Sequence, residues 1–349
     1  CPCALAISTP VAMVSSIASA GRNGVLVKGS SFIEHMSGIK AIAFDKTGTL
    51  TMGELGVTDI VSPELPEDEI LKMAVALESK AEHPIARAIL ERAREAGIDA
   101  AETTDFKAYV GRGVEACIDD KTCCIGNLRL FRELGIDPLD GLVERLEKEG
   151  KTVVLVSQED CAVGAIALMD KIREDAVETI GKLKSRGIEV QMLTGDNETT
   201  ARAIADKLGL DGYISHLLPE EKVNAIEKLK TEHGNVAMVG DGVNDAPALS
   251  AADVGIAMGA IGSDVALETA DVALMKDDLS RLIYLIKLSK ATMGRIRENI
   301  AASILVKLLV AVLAFPGLVT LWIAVAVGDM GLSLAVIMNS IRLGRIKAD

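Results

Sequence analysis

Three short apolar runs, each ending on a polar motif, constrain the fold of this chain more than any other feature. Ile39-Lys40-Ala41-Ile42-Ala43-Phe44 leads into Asp45-Lys46-Thr47-Gly48-Thr49. Gly187 to Leu193 leads into Thr194-Gly195-Asp196, and Asn235 to Val239 into Gly240-Asp241-Gly242-Val243-Asn244-Asp245. Runs this short and this apolar read as buried strands, and the segments 171–186, 197–209 and 219–233 between or beside them carry helical periodicity. Alternating strands and helices build a sheet that gathers its ligands at the carboxyl ends of the strands. The motifs at Asp45, Thr194 and Asp241 therefore converge on one sheet edge, a catalytic floor.

An aspartate at such an edge can act as a nucleophile and take a phosphoryl group as an acyl phosphate. Two residues on, where a phosphatase of this design places a second aspartate as acid/base, the chain has Thr47. Without that group the acyl phosphate is not hydrolysed quickly by the same site, so phosphoryl energy is held there. The stretch Asp45 to Thr49 resembles the phosphorylation signature of P-type ATPases, in the haloacid dehalogenase superfamily. Four further blocks stand in the family's order: Cys1-Pro2-Cys3, His83-Pro84, Thr194-Gly195-Asp196 and the Asp241 block. The resemblance spans essentially all 349 residues. It implies an α/β haloacid-dehalogenase-like (Rossmann-like) phosphorylation domain, an inserted α+β nucleotide-binding domain, and transmembrane α-helices.

Composition agrees with that mixture. Mean hydropathy is +0.32, yet charged residues make up 25%, as expected for membrane helices joined to soluble domains. A net charge of −13 argues against a nucleic-acid partner held through phosphate contacts. Six cysteines, few of them close in sequence, do not form a disulfide framework and fit a reducing cytosol for the soluble part. The chain opens at Cys1 with no signal peptide, and relative to the family it lacks the earlier membrane helices and the actuator domain. It is expected to be the carboxyl-terminal portion of a longer protein, with those missing parts as its partners.

The expected organisation follows. Residues 1–22 form the second half of a broken transmembrane helix, with Arg22 and Lys28 marking a cytoplasmic exit. Residues 23–55 begin the phosphorylation domain and 168–292 complete it. Residues 56–167 are the insert, with helices over Glu67 to Gly97 and a strand pair from Phe106 to Cys124 turning at Asp119-Asp120. Residues 293–349 hold two apolar segments, about Ile300 to Ala314 and Leu318 to Ile341, flanked by Arg295, Arg297, Arg342, Arg345 and Lys347. Those charges put both ends in the cytoplasm, and the resemblance implies a multi-pass protein of the lipid bilayer, in the plasma membrane.

The resemblance also implies roles. Asp45 is the nucleophile, Lys222 the lysine on the transferred phosphate, and Thr194 with Asp196 the phosphate-binding turn. Mg2+ is expected on Asp45, the Thr47 carbonyl and Asp241, with Asn244 and Asp245 ordering that loop. The reaction is phosphoryl transfer from ATP. Glu82, His83, Gly111 and Gly113 are the implied nucleotide contacts. Asp170 and Arg173 resemble the hinge where the insert rejoins, while Cys117, Cys123 and Cys124 have no implied role and read as small buried hydrophobes.

At membrane depth, Cys1-Pro2-Cys3 sets two thiols around a helix breaker, a pattern selecting soft or borderline metals. Lys307 stands alone in one apolar segment, and Asp329 interrupts the other. A carboxylate, two thiolates and a buried cation suit Zn2+, Cd2+ or Pb2+, the branch this pattern resembles. The leading expectation is an ATP-driven exporter of those ions. A copper(I) pump, a soluble phosphatase of the same superfamily, and a truncated product that binds ATP without pumping are the alternatives.

Overall fold

The computed structural model describes residues 3–81, 83–109, 111–242, 245–259, 264–314 and 316–347. Cys1, Glu82 and Asn244 of the expected site residues lie outside them. The chain forms two compact units: one comprises residues up to Leu50, Glu174–Gly195 and everything from Leu208 on, the other Thr51–Arg173 and Asp196–Lys207.

The first unit is built on a seven-stranded sheet. Its inner strand Ala41–Asp45 is paired in parallel with Val236–Gly240 on one side and Glu189–Leu193 on the other. All five residues of each of the first two strands are buried, as a sheet covered on both faces requires. The short strand Val25–Val27 closes one edge antiparallel to Val272–Leu274. Ala225, Ile226 and Leu229 of the helix Pro219–His233 and Ala248 and Leu249 of Ala246–Ala251 pack into the core beside Ala41, Ala43, Val236 and Met238.

The same unit carries the apolar helices. Cys3–Arg22 packs against Leu332–Ile341 and against the long helix Ser280–Ala314. That 35-residue helix runs through the expected domain boundary at 292/293, because the cluster Arg295 to Glu298 is charged but not helix-breaking. Its start is tied to the soluble part: the Leu279 N–H donates to Asp175 Oδ2 at 2.6 Å. Buried hydroxyls and amides stitch the helices together. Thr292 Oγ1 lies 2.9 Å from Ser16 Oγ, Tyr284 Oη lies 3.0 Å from Ser19 Oγ, and Asn299 Nδ2 donates to Ser340 Oγ at 3.1 Å. Among the described residues, two helical stretches, Cys3–Arg22 and Trp322–Arg345, are long and apolar enough to cross a membrane.

The second unit is a six-stranded antiparallel sheet with helices on both faces. Glu67–Glu78 and Pro84–Ala96 cover one face over Val114, Ala116, Ile125, Val154 and Ile166. Leu128–Leu134 and Asp140–Lys148 cover the other over Cys124, Leu155 and Ala165. Where the sequence suggests a strand pair, there are three strands: Thr104–Tyr109, Gly113–Ile118 and Lys121–Gly126. Asp119 and Asp120 make the expected turn with φ of 50° and 62°, the primed type that matches strand twist. The segment Gly111-Arg112 makes the additional one.

Candidate functional site

The inner strand delivers Asp45 to its carboxyl end, paired in register with Leu193. The chain then turns through Lys46–Leu50, with Thr47 extended (φ −78°, ψ 126°) and Gly48 left-handed (φ 75°, ψ −6°). On one neighbouring strand, Thr194 follows Leu193; its N–H donates to the Ile214 carbonyl at 3.0 Å and its carbonyl accepts from the Leu217 N–H at 3.1 Å. On the other, Gly240 ends the strand and Asp241 follows. Three motif-bearing strands thus end side by side, as parallel topology dictates. Asp196 groups with the second unit.

Lys222 joins the set from the first turn of Pro219–His233. Its Nζ donates to Asp45 Oδ1 and to Asp245 Oδ1, each at 2.6 Å, and all three side chains are nearly buried. Burial works against the lysine's charge, but the two carboxylates more than offset it and raise its pKa above the ordinary range. Burial also drives Asp45 up to about 6, helped by Asp245 and Asp241 and opposed by Lys222. Gly240 is where it is for Asp245: a Cβ there would sit 2.8 Å from Asp245 Oδ2. That oxygen is buried and makes no hydrogen bond among the described residues.

These observations test the expected magnesium. Asp45 and Asp245 share one ammonium and Asp241 adds its negative charge near Asp45, leaving an excess of negative oxygen donors of the kind a hard divalent cation neutralises. No group of three or more His, Cys, Asp or Glu side chains arranged to hold a metal occurs among the described residues. Magnesium needs no such group, since it takes one or two carboxylates and fills its shell with water and substrate phosphate. The donor set fits.

A cavity of about 680 Å³ in the second unit gathers His83, Gly111 and Gly113. His83 caps the helix Pro84–Ala96: its Nδ1 accepts from the Ala86 N–H at 3.2 Å, and its Nε2 lies 3.1 Å from Glu78 Oε2. An accepting Nδ1 leaves the proton on Nε2, facing Glu78. Glu78 is 3% exposed, and burial raises its pKa while His83 pulls it down. Sequence reasoning missed this residue. Its signal was a lone carboxylate closing the buried face Ala74 to Leu77, five residues before His83. The Phe106 ring, with Lys80 Nζ 5.4 Å from its centroid, lines the same cavity. Gly113 answers to the protein itself: a Cβ there would lie 2.2 Å from the Ile125 carbonyl oxygen.

Asp170, expected at the hinge, accepts a hydrogen bond from Thr51 Oγ1 at 2.7 Å. Cys123 and Cys124 are buried, and burial pushes their thiols to about 11 and about 12. They stay protonated at neutral pH.

Among the apolar helices, Asp329 sits in a π-helical turn, Ala326–Gly331, inserted between Leu321–Val325 and Leu332–Ile341. Such wide turns loosen backbone carbonyls and mark functional sites. Lys307 Nζ lies 3.9 Å from Asp329 Oδ1. The amino-terminal end of Cys3–Arg22 packs beside this turn, with Ala4 against Leu332 and Val336, so Cys3 belongs to the same neighbourhood.

The haloacid dehalogenase-like hydrolase family matches residues 39–253. A probable cadmium-transporting ATPase of Staphylococcus aureus (strain MRSA252) is 46% identical over 99% of this chain and 49% of its own length. The zinc/cadmium/lead-transporting P-type ATPase of Escherichia coli (strain K12) is 44% identical over 99% of this chain and 46% of its own length. A crystal structure of a zinc-transporting PIB-type ATPase in the E2.Pi state superposes with a TM-score of 0.90 at 44% identity, covering 99% of this chain and 56% of that one. The chain spans about half the length of the curated relatives it matches. With the family match running over residues 39–253 and the similarity to metal-transporting P-type ATPases over 99% of its length, the chain belongs to the haloacid dehalogenase-like hydrolases.

Proposed function

We propose that the chain works within a protein of its relatives' length as an ATP-driven exporter of Zn2+, Cd2+ or Pb2+, located in the plasma membrane as a multi-pass protein. The observation that carries this reading is the buried Asp45–Lys222–Asp245 cluster at the carboxyl edge of the sheet. An Asp45 oxygen attacks the γ-phosphorus of ATP, the bond from that phosphorus to the β-phosphate bridging oxygen breaks, and ADP leaves. Lys222, held between two carboxylates, can pass to the transferred phosphoryl oxygens as the Asp45 charge is consumed. The Thr194 hydroxyl and the backbone N–H groups of the turn through Gly195 and Asp196 donate to phosphate oxygens, and Asp45, the Thr47 carbonyl and Asp241 would hold Mg2+, with Asn244 and Asp245 ordering the loop. Bound there, Mg2+ supplies neutralisation of phosphate charge. His83, Glu78, Gly113 and the Gly111 turn take the nucleoside, and Glu82 is proposed as a further nucleotide contact.

For the transported ion, Cys1, Cys3 and Asp329 are the proposed ligands, with Lys307 as the counter-charge. The Lys307–Asp329 pair supports a divalent ion over copper(I), because a carboxylate released by its lysine suits Zn2+ better than a thiol-preferring monovalent ion. Thr47 in place of a second acid supports a stored phosphoenzyme over a soluble phosphatase. Asp45→Asn tests the reading: it is expected to abolish acid-stable labelling by [γ-32P]ATP and spare ATP binding. Persistent labelling in that variant would remove Asp45 from its role.

A further inference from the structure

The second unit carries another concavity that continues the nucleotide-sized one. It has a volume of about 350 Å³, and Gly53, Leu55, Pro84, Arg87, Glu91 and Arg94 are among its lining residues. Leu55 and Pro84 line both cavities, so the two are contiguous. Arg87 and Arg94 lie two turns apart on one face of the helix Pro84–Ala96. Glu91 stands between them, but Lys171 Nζ takes its carboxylate at 2.8 Å. The arginines therefore face Glu54 as the one lining carboxylate not so engaged. Neither guanidinium enters an ion pair among the described residues.

We infer that this cavity takes the polyphosphate tail of the nucleotide, with Arg87 and Arg94 as its positioning cations; the inference rests on the reading of the His83 cavity as the nucleoside site. Planar guanidinium forks match phosphate oxygens in pairs, which a lysine point charge does not. Gly53, Glu54 and Leu55 lie at the start of the strand Thr51–Val61, which leaves the Asp45 loop. The helix that places His83 against the nucleoside thus places the arginines along the phosphates, and one rigid element sets both contacts.

The test is calorimetric titration of ATP, ADP and adenosine into the full chain carrying Arg87→Ala with Arg94→Ala, compared with wild type and with His83→Ala. The double variant is expected to weaken ATP about tenfold or more and ADP less, with adenosine unchanged. A double Arg→Lys variant should restore part of the ATP affinity, and since both side chains are exposed the melting temperature should not move. Unchanged ATP affinity, or an equal loss for ATP and adenosine, would overturn the assignment of the arginines. If His83→Ala still weakens all three ligands, the nucleoside cavity stands without them. If His83→Ala leaves adenosine binding intact, the nucleoside site falls and the phosphate cavity with it.

Discussion

Asp45 is held in a charge state that the fold resists. Its pKa is pushed up to about 6 by burial and by Asp245 and Asp241, against the pull of Lys222. A carboxyl whose folded pKa is raised binds its proton more tightly in the folded chain than in the unfolded one, so its charge subtracts stability above that pKa and the loss is recovered as pH falls through it. Asp45→Asn should therefore melt at a higher temperature than wild type at pH 7.5, by on the order of 2 kcal/mol of stability. The gap should close as pH falls from about 6 toward 4, and thermal melts across that range check it. Held there as proposed, Mg2+ would relieve the same crowding. It should raise the wild-type melting temperature at neutral pH and do so less in Asp241→Asn, read from melts with and without millimolar MgCl2. Of these residues, Asp45 and Asp241 are legible in the sequence because each closes an apolar strand. Lys222 is legible only through the family resemblance: on its own, a lysine at a helix start is indistinguishable from a solvated one until the helix is seen over the sheet edge. Gly113 looks like clearance for a ligand, yet it is demanded by the Ile125 carbonyl across the strand.

At the scale of elements, the membrane-length helices carry their chemistry at an irregularity. Asp329 lies in the π-helical turn, and a regular helix through the same sequence would rotate it relative to Lys307. Asp329→Asn should keep ATP binding and weaken Zn2+ at least about tenfold, about 1.4 kcal/mol, as measured by metal titration of the purified membrane protein. An unchanged Zn2+ affinity would take Asp329 out of the ion site. The sequence reveals an interrupted apolar segment here but not the kind of interruption, since Gly328 and Gly331 permit several backbone paths. It reveals the apolar stretch from Ile300 to Ala314 as well, but not that one helix extends back to Ser280. Hydropathy sees the change of solvent along such a helix, whereas only the uninterrupted backbone hydrogen bonding makes it one rod of roughly 50 Å.

For the whole molecule, the proposed function puts a phosphoryl site, a nucleotide cavity and part of an ion site on one chain. The long helix starts beside Asp175, and its far part carries Lys307. The proposed function requires ion occupancy at Asp329 to license phosphorylation at Asp45. The most direct measurement is phosphoenzyme formation from [γ-32P]ATP in membranes holding the protein at its relatives' full length, with Zn2+, Cd2+, Pb2+ or Cu+ supplied one at a time. Labelling stimulated by the three divalent ions, absent with Cu+ and absent in Asp45→Asn, is the predicted result. Labelling stimulated by Cu+ alone, or labelling that ignores every metal, would contradict the account.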